Sequence, residues 1–258
     1  MRYALHAEWT KLRTTRGTGQ LLLLAIVLTV ALGAGTAKAV TCPDLGCGED
    51  GVRLPLTGIV LGQAVVAIAA VLTVSGEYAT GMIHTSFAAV PRRITVLTAK
   101  AAVLAATVAA AGTAAVLACL LAGRYFLPGN GFTEAHGYPP LSLADGPTLR
   151  AAFGSVLYLV LIALLSLGVA TAVREAASAI GIVLGLLYLF PLVTHVVTDP
   201  AWQRRLAQVA PMTAGLAVQA TTGLDHLPIG PWAGLGVLAG WTAAALLAGG
   251  VLLHRRDA

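Results

Sequence analysis

Six stretches of the 258-residue chain, at 19–37, 56–74, 101–123, 151–173, 176–197 and 232–253, contain no Asp, Glu, Lys or Arg. Each is about 20 residues long, enough at about 1.5 Å per residue to cross a hydrocarbon core of about 30 Å. Barrel strands need only about ten residues and alternate polar with apolar positions. These runs do not alternate, so each predicts a transmembrane helix with its backbone groups satisfied internally. Ala, Gly, Ser and Thr crowd 101–115 and 234–250, as expected where helices in lipid pack closely. The pattern predicts an all-α polytopic membrane protein, one transmembrane domain spanning 1–258.

The segments between the runs predict less regular structure. Ahead of the first run, residues 1–17 place Leu5, Trp9 and Leu12 at i, i+4 and i+7, on one helical face. Glu8, Lys11, Arg13 and Arg16 lie mostly away from it. This is the pattern of an interfacial helix with Trp9 at headgroup depth and its cations toward anionic lipid; a charged lead that only sets topology is the plainer alternative. Ala37-Lys38-Ala39 resembles a signal-peptide cleavage site, but the apolar run before it is longer than such peptides carry, so the first span is expected to remain. Residues 75–93 mix polar and apolar groups over more length than a plain turn needs, and Pro91 ends any short helix. Met82, Phe87 and Val90 read as contact residues at a cytoplasmic surface, or equally as part of an interfacial loop with no partner. The loops at 127–147 and 200–231 are rich in Gly and Pro. Within the second, Trp202, Leu206 and Val209 again share a face and predict a short helix lying on the membrane. Pro191 predicts a kink or a shortened last turn in the fifth span.

Composition agrees: 57% of residues are hydrophobic and only 10% charged, with mean hydropathy +0.84. Soluble domains carry about a quarter charged residues, so the composition argues strongly against a soluble enzyme. Orientation follows from the cations. With the N-terminus inside, Arg2, Lys11, Arg13, Arg16, Arg92, Arg93, Lys100, Arg174, Arg255 and Arg256 are cytoplasmic. Lys38, Arg53, Arg124, Arg150, Arg204 and Arg205 are outside. That places ten of the 16 Lys and Arg residues inside, together with both termini. The net charge of +5 is then a matter of topology, and no basic stripe interleaved with aromatics points to nucleic acid. Cys42 and Cys47 fall in the first outer loop, where a disulfide, two free thiols and half of a zinc site are the readings open. Cys119, within the third span, reads as a small packing residue.

Sites for chemistry are scarce. No stretch fits the P-loop pattern, since none of Lys11, Lys38 and Lys100 follows a glycine. There is no His-Glu-x-x-His and no Gly-x-Ser-x-Gly. The charge-free runs hold no carboxylate, which argues against an ion-coupled carrier.

Three segments carry a resemblance. Ala7-Glu8-Trp9-Thr10-Lys11-Leu12-Arg13-Thr14, then Gly76-Glu77-Tyr78-Ala79-Thr80-Gly81-Met82-Ile83 with Val90-Pro91-Arg92-Arg93 and Ala99-Lys100, and finally Arg255-Arg256-Asp257-Ala258, resemble actinobacterial permease subunits of type-2 ABC exporters. The resemblance covers the whole chain in layout and is most specific from Glu77 to Arg93. It implies six spans, an N-terminal elbow helix over 1–17 (Leu5, Trp9, Lys11, Leu12, Arg13) and a coupling helix after the second span. Glu77, Tyr78, Gly81, Met82, Thr85, Phe87, Arg92 and Arg93 would meet the ATPase, and Arg174 and Glu175 would make a second, shorter cytoplasmic contact. A local helix cap, or a salt bridge to Arg92 or Lys100, is the structural alternative for Glu77. The resemblance further implies a non-enzymatic subunit of the bacterial plasma membrane, paired with a second permease chain, identical or related, on two copies of a P-loop ATPase. ATP and Mg²⁺ would sit on that partner, with no cofactor on this chain, and the cargo would be lipophilic: a drug, a lipid or a peptide-like compound. A non-transporting membrane scaffold and a membrane-embedded enzyme are the alternatives from other classes.

Overall fold

The computed structural model describes residues 2–14, 16–43, 47–82 and 93–255, without the side chains of 2–4, 12–14, 16, 79, 93 and 195. Among these residues all regular structure is helical. A separate N-terminal helix α1 (Arg2–Thr14) precedes α2 (Arg16–Ala39). A single turn α3 (Arg53–Leu56) leads into α4 (Ile59–Ala79), followed by α5 (Arg93–Phe126), α6 (Gly146–Val173) and α7 (Ala176–Val196). Two short helices, α8 (Pro200–Val209) and α9 (Pro211–Leu216), come before the last helix α10 (Pro231–Arg255). Six helical segments are long and apolar enough to cross a bilayer: α2, α3 with α4, α5, α6, α7 and α10. The chain is a polytopic α-helical membrane protein.

Helix α6 is the centre of the bundle. Of its most apolar window 61% is buried inside the chain, against 17% for α7 and 22% for α2 and α10. It packs on α10, α4, α5 and α7. Small residues make the closest approach possible. A Cβ on Gly168 would lie 2.6 Å from the Ala245 backbone of α10, so only glycine fits there. The side chains that fill the middle are Tyr158, Ile162, Leu165 and Leu167 of α6 with Leu104 and Val108 of α5, all essentially inaccessible.

The helices outrun the charge-free windows. The second extends beyond 74 through Glu77 to Ala79, and the third begins at Arg93, ahead of Lys100. Thus the second candidate span holds a carboxylate and the third a lysine, contrary to the expectation of spans without ionisable groups. Helix α7 is not cut short at Pro191 but continues to Val196. The expected surface helix is α8, on which Trp202 and Val209 are exposed and no residue is buried.

The Gly- and Pro-rich stretch after α8 is more ordered than its composition suggests. Residues 210–220 fold as α9 and a 3₁₀ turn (Ala217–Gln219) whose side chains are buried against α6, α7 and α10. This stretch has no charge and is too short to span. It returns to the face it left and forms a re-entrant wedge. Gln219 Nε2 donates to Ser155 Oγ at 3.1 Å, and Arg150 Nη2 donates to Ala220 O at 2.7 Å. The Thr221 hydroxyl donates to Asp50 Oδ1 at 2.7 Å. Buried polar groups in lipid need such partners.

Candidate functional site

One end of the bundle gathers α1, the last turns of α4, the first turns of α5 and the α6–α7 turn. Four charged side chains meet there. Lys100 Nζ lies 2.7 Å from Glu77 Oε1 and 2.8 Å from Glu8 Oε2. Lys11 Nζ lies 3.0 Å from Glu77 Oε1 and 3.1 Å from Glu8 Oε1. The side chains of Glu8, Glu77 and Lys100 are at most 10% exposed, and that of Lys11 is 30% exposed. Two anions and two cations therefore share a largely buried site, where pairing is the condition under which buried charge is tolerated.

Each helix contributes for a local reason. Glu8 and Lys11 sit at i and i+3 on α1 and face the same way, toward α5 rather than toward lipid headgroups. Trp9, on the other side, is 48% exposed. The expected division of α1 is thus corrected: the Glu8–Lys11 side is buried in the bundle, because Lys100 and Glu77 offer it partners that lipid does not. Burial alone would lower the Lys11 pKa, but hydrogen bonds and charge attraction from Glu77 and Glu8 together hold it above the ordinary 10.5. Leu5 is part-buried on α1. The side chains of Leu12 and Arg13 lie outside the described residues.

Of the residues expected to meet an ATPase, Glu77 is buried in this cluster and joined to Lys100, the structural alternative raised for it from sequence. Tyr78 points elsewhere, under the Arg174 guanidinium at 5.3 Å from its ring centre. Helix α4 then ends: Thr80 N donates to Gly76 O at 3.1 Å, and Gly81 takes a left-handed φ of 70°, the usual stop signal of a helix. Met82 is 46% exposed just beyond it. Thr85, Phe87 and Arg92 lie outside the described residues, as does the side chain of Arg93.

The α6–α7 turn brings Arg174 and Glu175 to the same face. Arg174 has φ 66°, an uncommon value for a residue with a side chain, and its N–H closes α6 onto Ala170 O at 2.8 Å. Its Nε and Nη2 are buried with no acceptor among the described residues. Glu175 caps α7, accepting from Ala177 N at 2.8 Å and Ser178 N at 2.6 Å. Hydrogen bonds from the Ser178 side chain, then from the Ser178 and Ala177 backbone, hold its carboxyl below the ordinary 4.5.

The opposite face carries Cys42 and Cys47, joined as a disulfide with Cα atoms 5.7 Å apart. Cys42 N donates to Asn130 O at 2.7 Å, and Asn130 Nδ2 donates to Ala37 O at 2.8 Å. Cys119 is free and buried.

Glu8 and Lys100 stand out in the structure more than in the sequence. The one signal for Glu8 was an acid in an otherwise basic lead; its partner is 92 residues away. Compared with known families and curated proteins, the chain matches no family model and no curated protein.

Proposed function

We propose that this chain is the permease subunit of an ATP-driven exporter of the type-2 ABC class, energised by a separate P-loop ATPase. The observation that carries the reading is the buried Glu8–Lys11–Glu77–Lys100 cluster. It fastens α1 to the end of α4 and the start of α5, the two helices that flank residues 83–92. A push delivered to that segment would therefore move α1, α4 and α5 together instead of being lost in one loop. Such rigid-body coupling is how a partner with two nucleotide states biases a two-state bundle.

The same reading puts the cluster on the cytoplasmic side of a bacterial plasma membrane, with both termini inside. The excess of Lys and Arg on that face favours it, and the disulfide on the other face agrees with an oxidising exterior. ATP and Mg²⁺ belong to two ATPase copies, a second permease chain completes the pathway, and apolar span surfaces suit a lipophilic cargo.

Affinity purification in mild detergent, with identification of co-purifying proteins and an ATPase assay, tests the proposal. The expected result is a stoichiometric P-loop ATPase whose binding is lost on substituting Met82, Phe87 and Arg92 together. No ATPase in any of several detergents would leave a membrane scaffold as the better reading.

A further inference from the structure

Helix α7 packs on α6 and α4, and between it and α10 an apolar fissure of about 460 Å³ stays open. Val169 of α6 lines its floor, Gly185, Leu189 and Phe190 of α7 one wall, and Trp241 and Ala245 of α10 the other. Every residue lining it is apolar. It runs along α7 from Ile182 to Phe190, about 12 Å at about 1.5 Å per residue, and so reaches the middle of the span. Gly185 widens it, since a Cβ there would meet no atom within 4 Å.

Helix α8 ends against this fissure. Trp241 Nε1, on the fissure wall, donates to the carbonyl of Val209, the last residue of α8, at 2.9 Å. Two further bonds hold α8 in place: Gln203 Nε2 donates to Val197 O at 2.6 Å, and Gln208 Nε2 to Pro228 O at 2.8 Å. Thus fixed, α8 turns Trp202, Leu206 and Val209 to one side, and none of its residues is buried. Arg205 stands one helical turn before Val209, about 6 Å along the axis, with its guanidinium 5.6 Å from the centre of the Trp202 ring. Arg204 is turned about 100° further from the apolar side. Among the described residues no carboxylate pairs with either arginine. The nearest acid in sequence, Asp199, is occupied in capping α8, accepting from Ala201 N at 2.8 Å. An unpaired guanidinium, an aromatic ring beside it and an apolar slot one turn away follow the order of a phospholipid: phosphate, interface, chain. A zwitterionic headgroup brings its own cation, so the complement of Arg205 is a headgroup with net negative charge.

We propose that one anionic phospholipid binds here, its phosphate on Arg205 and an acyl chain in the fissure between α7 and α10. The inference rests on the chain spanning a bilayer and not on the exporter reading, and its test needs no ATPase. Protein in nanodiscs of equal phosphatidylglycerol and phosphatidylcholine, with matched chains, is released for native mass spectrometry. One phosphatidylglycerol per chain should be retained about fivefold over phosphatidylcholine, the effect of one cation near the lipid surface. Arg205→Gln should abolish that preference, whereas Arg204→Gln, on the far side of α8, should keep most of it. Gly185→Leu fills the fissure without a backbone clash, so it should lose the retained lipid with no fall in melting temperature. Equal retention of the two lipids by the wild type overturns the proposal, as does a preference that survives Arg205→Gln. A lipid that Gly185→Leu leaves bound overturns it too; if that variant instead splits a dimer, the fissure holds a second copy of the chain.

Discussion

Lys100 sets its ammonium 2.7 Å from the Glu77 carboxylate, 23 residues back along the chain, and 2.8 Å from Glu8, 92 residues back. It is the only member of the cluster on α5, and both acids depend on it. Lys11 contacts the same two acids but from a rim position, with 30% of its side chain exposed against 8% for Lys100. Position in the cluster, more than number of bonds, then decides what each lysine is worth.

Replacing Lys100 with Met leaves two buried carboxylates sharing one partly solvated cation. Breaking a buried pair in this way costs about 3–5 kcal/mol, so Lys100→Met should strongly lower the melting temperature in detergent. Lys11→Met, which leaves each acid with Lys100, should do markedly less. Equal losses for the two variants would mean that the cluster is solvated and not a buried clamp.

The pH dependence of Lys11 has a definite sign. Its pKa is raised in the folded protein, so its contribution is fully present below the ordinary 10.5 and is lost as pH climbs through the raised value. The difference in melting temperature between wild type and Lys11→Met should stay constant from neutral pH up to about 10.5 and close above it. A difference that closes near neutral pH would place Lys11 outside the cluster.

Charge-free windows located all six spans because lipid forbids unpaired charge over their length. They missed the ends for the same reason turned around. Glu77 and Lys100 terminate a charge-free run, yet the helices continue through them because the two pair with each other and with Lys11 and Glu8 of α1, far away in sequence. Local pattern cannot register such pairing. The Leu5–Trp9–Leu12 periodicity found α1 but not its orientation, which Glu8 decides. The wedge at 210–220 had a usable signal: it lies in a charge-free run, 206–224, that Pro211 interrupts, leaving an apolar stretch too short to span. Runs of that length are candidates for re-entrant segments.

The α6–α10 contact rests on backbone meeting backbone. Gly168→Leu would drive a side chain into the Ala245 peptide, which cannot step aside. Overpacking of this kind costs about 1–3 kcal/mol or more. A Cβ on Gly181 of α7 meets nothing within 4 Å, and Gly181→Leu improves helix propensity by up to about 1 kcal/mol. Thermal unfolding should show the first destabilised and the second unchanged or slightly stabilised. A reversed order would mean that α6 and α10 are farther apart than this packing requires.

The Cys42–Cys47 bond ties orientation to chemistry. The chain has three cysteines, and Cys119 is buried in the bundle without a partner thiol. Membranes quenched in acid, denatured and alkylated without reductant should yield protein carrying a single alkyl group, on Cys119. Reduction before alkylation should yield three. A cytosolic thiol pool would keep a loop on its side reduced, so one group without reductant places that loop, and its whole face of the bundle, outside the cytoplasm. Three groups without reductant would remove the bond and, with it, the chemical support for termini on the inside. Breaking the bond should cost about 2 kcal/mol, since the loop it closes is short. The helical signal should survive reduction, because Asn130 still holds the Ala37 carbonyl and the Cys42 amide and the six spans do not depend on the cap.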